Sequence, residues 1–262
     1  MSSRARALLV CTALVLAVLV TAALAPLPYA VAYPGVTANV LGDDKGKPVI
    51  TVSGVRTRDT SGQLRMTSIT ATGPDASVHL PDVVRAWFRT DEAVMPRDSV
   101  YPVGNNTEEI AEHNAEQMKQ SQESATHAAL NRLGKSPKDV KVTLSLADIG
   151  GPSAGLMFAL GIVDKLDGDG AGRDLTGGRT IAGTGTIDAD GAVGAVGGVA
   201  LKTQAARRDG ATVFLVPRKE CTDARAELPK GMRLIPVTTL DGAVDALKAL
   251  NSGGAVPSCT GA

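Results

Sequence analysis

Asp148-Ile149-Gly150-Gly151-Pro152-Ser153-Ala154-Gly155 sets one hydroxyl among small neighbours. An alternating stretch ends just before it, near Leu146, and an apolar helical stretch starts near Ser153. A serine at such a strand-to-helix junction is placed to act as a nucleophile. Backbone N–H groups of a first helical turn lack partners and can donate to an oxyanion. The helix dipole favours negative charge there, and Gly150, Gly151, Ala154 and Gly155 let a substrate backbone approach. The same octapeptide also fits a plain helix N-cap after a Gly-Pro turn, so by itself it leaves both readings open. A hydroxyl nucleophile needs a base. The three histidines, His79, His113 and His127, all precede the serine and lie near no obvious strand-end site. Lys202 is the other candidate. Val193 to Leu201 carries no charge, and a lysine emerging from such a wall is desolvated, which lowers its pKa and frees a neutral amine for general-base work. Against this stands the commoner fate of a lysine, the exposed face of a helix.

Other chemistries find less support. Two cysteines, Cys221 and Cys259, lie in the C-terminal part, and Cys11 lies in an apolar run where it acts as a small hydrophobe. In an oxidising compartment Cys221 and Cys259 suggest one disulfide tying the tail to the body; the alternative is two free thiols. With scattered histidines they form no ligand cluster, so no metal is expected. Lys+Arg (27) cancels Asp+Glu (27), which argues against a nucleic-acid partner held by phosphate contacts. Aromatic residues are 3%, too few for stacking platforms. Hydrophobic residues are 44% of the 262, enough for a buried core.

The elements that must position these residues read as an α+β fold with α/β-like alternation. Tyr33 to about Asp44 reads as a juxtamembrane linker. Pro48–Val52 and Leu64–Thr70 read as strands that pair in a hairpin or meander, and Pro81–Phe88 as a short helix. A long helix starts at Thr107, with an acidic first turn, and runs to about Leu133, where Gly134 caps it. Its Ile110, Asn114, Met118, Ser121, Ala125, Ala128 and Ala129 form a small or apolar stripe that reads as core. A strand follows at Val140–Leu146, then a helix from Ala154 to Leu166 and a segment at Thr180–Ala182. A helix at Leu201–Arg208, a buried strand at Thr212–Val216, and a short helix at Thr222–Leu228 come next. A strand at Arg233–Val237 and a helix from Leu240 to Leu250, capped by Asn251, complete the reading. The organisation expected is an anchor or signal over 1–32, a β-rich region over 33–106, the catalytic domain over 107–251 and a tail over 252–262.

Arg4 and Arg6 precede an uncharged apolar run, Ala7 to Ala25, about long enough to span a hydrocarbon core. The arginines predict that the N-terminus lies inside and the rest outside. A cleaved signal is the rival reading, because Ala30-Val31-Ala32 fits a small-x-small cleavage pattern, and the chain would then be secreted after cleavage near Ala32. Both readings put the body outside the cytoplasm.

From Asp148 to Pro217 the sequence resembles the proteolytic domain of Lon-type serine peptidases. Gly151-Pro152-Ser153-Ala154-Gly155 matches their nucleophile motif. Thr184-Gly185 and then Gly197-Gly198-Val199-Ala200-Leu201-Lys202 match the downstream segments in order and spacing. The resemblance implies a Ser–Lys dyad, with Ser153 as nucleophile, Lys202 as base, and Thr184 orienting the lysine. Gly151 and Pro152 shape the loop. The anchor, the Asp-Ile-Gly-Gly-Pro-Ser form of the motif and Met118-Lys119-Gln120-Ser121-Gln122 resemble the membrane-anchored extracytoplasmic Lon-like proteases of bacteria.

Three departures stand out. No Gly-x-x-x-x-Gly-Lys-Ser/Thr occurs, since Leu201 stands where the glycine before the lysine is needed, so neither nucleotide nor any other cofactor is expected. Gly150 occupies the place of an acidic residue found in many Lon sequences. Gly134–Asp139 is far too short to hold the PDZ domain usual in the anchored subgroup. The expected activity is ATP-independent hydrolysis of peptide bonds in unfolded or flexible proteins, with protein or peptide as substrate. Backbone N–H groups of Gly151 to Ser153 would hold the oxyanion. The alternatives are an idle anchored scaffold with a peptidase fold, or a site-specific signalling protease. Lon catalytic domains often form rings, so the resemblance also raises a homo-oligomer.

Overall fold

The computed structural model describes residues 2–103, 106–146 and 149–259. Its helices are α1 (Ser3–Leu24), α2 (Leu80–Trp87), α3 (Arg97–Val100), α4 (Thr107–Arg132), α5 (Gly155–Leu166), α6 (Val199–Arg208), α7 (Cys221–Ala226) and α8 (Leu240–Ser252). Its strands are β1 (Tyr29–Asn39), β2 (Asp43–Asp44), β3 (Lys47–Pro48), β4 (Ile50–Ser53), β5 (Gln63–Ala71) and β6 (Ala93–Pro96), then β7 (Lys141–Leu144), β8 (Thr180–Gly183), β9 (Thr186–Ile187), β10 (Val193–Gly194), β11 (Val213–Pro217) and β12 (Arg233–Val237). The fold is α+β, and α1 is long and apolar enough to cross a membrane.

One six-stranded sheet, ordered β12-β11-β8-β5-β1-β6, organises the body. Pairing is parallel from β12 to β5 and antiparallel for β5–β1 and β1–β6. Side chains alternate across a strand, so each strand feeds two layers. Ile181, Val213, Leu215, Ile235 and Val237 join the larger core with α4, α5 and α8. Ala182, Phe214, Val216 and Leu234 join a second core with α6 and α7. Burial on both faces explains why β11 is a continuous apolar run rather than an alternating one.

Several expectations need correction. The presumed linker is β1, an interior strand of the sheet; a bulge between Pro34 and Thr37 interrupts its register and hides its period. Ala30, Val31 and Ala32 are buried in it, so cleavage after Ala32 would remove the residues that pair with β6. The two strands expected as a hairpin do not pair. β4 takes β7 as its antiparallel partner, Ile50 opposite Leu144, while β5 lies between β1 and β8. The stretch read as a β-rich region over 33–106 contributes β1, β5 and β6 to one sheet with the C-terminal half. The cap of α4 is Asn106, whose side chain accepts from the Glu109 N–H, not Thr107. Asn251 lies inside α8, where its amide donates to the Asp174 and Leu175 carbonyls, and Gly253 ends the helix in a left-handed conformation.

Candidate active site

The loop before α5 is built for tight approach. Gly151 has φ +88° and ψ 165°, a conformation a side chain resists. Pro152 opens a 3-10 turn, Pro152–Ala154, where its missing N–H costs nothing. The long helix α4 holds this loop at two points. The Gly151 N–H donates to the Asn114 carbonyl at 3.0 Å, and the buried Ser121 hydroxyl donates to the Pro152 carbonyl at 3.0 Å. A Cβ at Gly155 would lie 2.9 Å from Ser121 Oγ and 3.1 Å from the Ile187 nitrogen, so glycine there lets α4, α5 and β9 meet. Asp148 lies outside the described residues.

Ser153 is tied to the turn after β8. The Gly185 N–H donates to the Ser153 carbonyl at 3.0 Å, and the Leu156 N–H donates to the Gly185 carbonyl at 3.1 Å. Thr184, 0% exposed, donates its hydroxyl to the same Ser153 carbonyl at 3.3 Å. That hydroxyl oxygen accepts from Lys202 Nζ at 3.2 Å. Lys202 is 3% exposed, on the sheet-facing side of α6, which rules out the solvated-lysine reading. Gly198, left-handed at φ +67°, starts α6, and Asp223 receives the Val199 N–H at 2.9 Å, fixing the helix against α7. Burial lowers the Lys202 pKa to about 8, against the opposing pull of Glu220 and Asp223.

Ser153, Lys202 and Asn114 share one cleft of about 370 Å³, walled by Ile69, Met95, Tyr101 and Val196 among others. A second groove of about 490 Å³ runs between α4 and Leu146, Ile149 and Gly150, and shares Asn114 with the first. The sequence had offered the N–H groups of Gly151 to Ser153 as oxyanion donors. The Gly151 N–H is taken by Asn114, and proline has none, so of these the Ser153 N–H remains. The missing acid at position 150 also has a steric counterpart: a Cβ there would lie 2.7 Å from the Asn114 Cβ. The acidic charges that act on Lys202 come instead from Glu220 and Asp223, at the start of α7. Cys221 and Cys259 are joined, with Cα atoms 5.4 Å apart, which fastens the tail next to Glu220.

Sequence reasoning missed the cleft's N-terminal wall. Ile69, Met95 and Tyr101 carry no motif; Ile69 and Met95 reach the cleft through the pairing of β5, β1 and β6 in the common sheet, and Tyr101 caps α3, which follows β6. Asn114 and Ser121 were visible, but as members of a core stripe rather than as clamps on the serine loop.

Comparison with curated proteins gave no match. Comparison with family models matches residues 107–249 to the Lon protease (S16) C-terminal proteolytic domain, more than half of the 262-residue chain. The match spans α4, the serine loop, Thr184 and Lys202. The chain thus belongs to the Lon protease (S16) proteolytic-domain family, a family of serine peptidases.

Proposed function

We propose that the protein is an ATP-independent serine endopeptidase anchored by α1, with its body outside the cytoplasm and a Ser153–Lys202 dyad as its machinery. The observation that carries this reading is the buried amine of Lys202, held by Thr184, in the same cleft as Ser153. The neutral amine takes the hydroxyl proton of Ser153 as Oγ attacks the scissile carbonyl carbon. The negative oxygen of the tetrahedral intermediate faces the Ser153 N–H, in the 3-10 turn that leads into α5. Collapse breaks the C–N bond, and the Lys202 ammonium returns its proton to the leaving amine. A water then enters, gives a proton to Lys202, and its oxygen releases the acyl group as a carboxylate while Ser153 regains its proton.

Thr184 cannot act as a base at ordinary pH; it positions the amine. Arg4 and Arg6, in the first turn and a half of α1 and ahead of its uncharged apolar run, favour an outward body, and a disulfide at Cys221–Cys259 suits an oxidising compartment. Without an unfoldase, unfolded segments, tails and small proteins are the substrates that fit an open cleft. The test is cleavage of an unfolded protein, without nucleotide, by wild type, Ser153→Ala and Lys202→Ala. Cleavage by wild type alone supports the dyad. Broad cleavage of diverse substrates favours quality control over a single signalling target, and an inert wild type favours a scaffold.

A further inference from the structure

Helix α2 is short and sharply two-sided. Leu80, Val84 and Trp87 fall on one face at helical spacing, and Phe88 at its C-cap extends that face. Beside that face Ala86 is buried with Val31 and Val78, and Val83 is partly buried against this cluster. Leu80 and Val84 are exposed, while Trp87 and Phe88 are 82% and 83% exposed. The chain has one tryptophan and three phenylalanines, and the other two, Phe158 and Phe214, are fully buried. A lone exposed apolar residue needs no explanation, but a gathered aromatic patch marks an interaction surface.

The position of the patch indicates its partner. α1 ends at Leu24, and soon after it the Leu27 N–H donates to the Val78 carbonyl at 2.8 Å, next to the start of α2. α1 and α2 are also in direct contact. The patch therefore stands at the foot of the one long apolar helix among the described residues, at the depth where tryptophan favours a membrane interface. Nearby charges are paired with one another. Arg85 pairs with Asp82 and Glu92, and Arg89 pairs with Asp91 and Glu92, so apolar contact rather than net charge is what this face offers.

We propose that Leu80, Val84, Trp87 and Phe88 seat in the headgroup–acyl boundary of the bilayer that α1 crosses, as a second membrane contact. The proposal rests on reading α1 as a span. α2 packs on β6, whose Met95 lines the cleft, so this seat would hold the cleft at a fixed height above the membrane.

Trp87 is the sole tryptophan and so reports on itself. The full chain is reconstituted in phosphatidylcholine vesicles and recovered by flotation. Its emission is then compared in plain vesicles, in vesicles of lipid brominated near the top of the acyl chain, and with aqueous iodide. The expected result is blue-shifted emission, quenched about twofold or more by bromine and protected from iodide, as for a residue at the interface. Val84→Asp combined with Phe88→Asp should relieve the bromine quenching while α1 still floats the protein. Emission typical of water and open to iodide, in protein that floats, overturns the proposal. So does protection from both quenchers, which would mean that protein, such as a second copy, covers the patch. Failure to float removes the span and the proposal together, while cleavage assayed in detergent judges the peptidase reading separately.

Discussion

If Lys202 is the base, the pH dependence of cleavage should report its folded-state pKa. The residue is 3% exposed, and burial lowers its pKa to about 8 against the pull of Glu220 and Asp223. The neutral fraction then rises from about 1% at pH 6 to about 90% at pH 9, so kcat/KM should climb roughly ninetyfold across that range, tenfold per pH unit at first and levelling above pH 8. The perturbation is Glu220→Gln. The Glu220 carboxylate raises the Lys202 pKa, so removing its charge should move the bend to lower pH and increase activity at pH 7 relative to wild type. The assay is initial-rate cleavage of an unfolded fluorescent substrate from pH 6 to 10 at constant ionic strength. The stability effect has a defined sign. The folded-state pKa lies below the ordinary 10.5, so the unfolded chain binds more protons between about pH 8 and 10.5, and stability should rise with pH through that window by about 3 kcal/mol. A rate flat across the range, a rate still climbing tenfold per unit past pH 9, or a bend that Glu220→Gln moves upward would refute the reasoning.

Other perturbations test the supports of the site. Thr184→Val removes the acceptor for Lys202 and the donor to the Ser153 carbonyl, and should cost about 1–3 kcal/mol, a fall in kcat/KM of roughly five- to 150-fold; Thr184→Ser should retain most of the activity. Asp164 is wholly buried, and burial raises its pKa from 3.8 to about 6, with the Leu175 N–H and Arg58 pulling the other way. Its folded form thus favours the proton, so its contribution to stability is full below about pH 4 and is lost as pH rises through 6, by about 3 kcal/mol. Asp164→Asn should flatten that part of the unfolding-midpoint profile in urea, and an unchanged slope would count against the assignment. Replacing both Cys221 and Cys259 by alanine opens a loop with a separation of 38 residues and should cost up to about 4 kcal/mol in denaturant unfolding. Reducing agent should lower the stability of wild type and leave that double variant unchanged.

The linear motifs were readable because their chemistry is local. A glycine that must adopt positive φ, a proline opening a turn, a serine at a helix start and a lysine after an uncharged wall all announce themselves in a few residues. Most helices and strands after Thr107 were legible for the same reason, since Gly, Pro or a polar cap punctuates them; the two-residue strands β9 and β10, set among small residues, were not. What stayed hidden depends on pairing at a distance. Tyr29–Ala32 continues the apolar character of α1 and then bulges at Pro34, so neither hydrophobicity nor period separates β1 from a linker. β4 finds its partner in β7, far along the chain, and β5 lies parallel to β8, and no local signal encodes either pairing. The cleft wall of Ile69 and Met95, with Tyr101 after α3, follows from the pairing of β5 with β1 and of β1 with β6 and was unreadable for the same reason. Ser121 looked like core, and it is buried; its added role as a clamp on Pro152 needed the approach of α4 to the serine loop.

The central claim is that Ser153 and Lys202 act as one unit without nucleotide. The most direct measurement is nucleotide-free cleavage of an unfolded protein at pH 8.5 by wild type, Ser153→Ala, Lys202→Ala and the double variant, each shown by circular dichroism to be folded. The account predicts cleavage by wild type, and loss in each single variant about as complete as in the double, because residues that share one proton transfer are not additive. Undiminished cleavage by either folded single variant, or a wild type that cuts only when ATP is added, would contradict it.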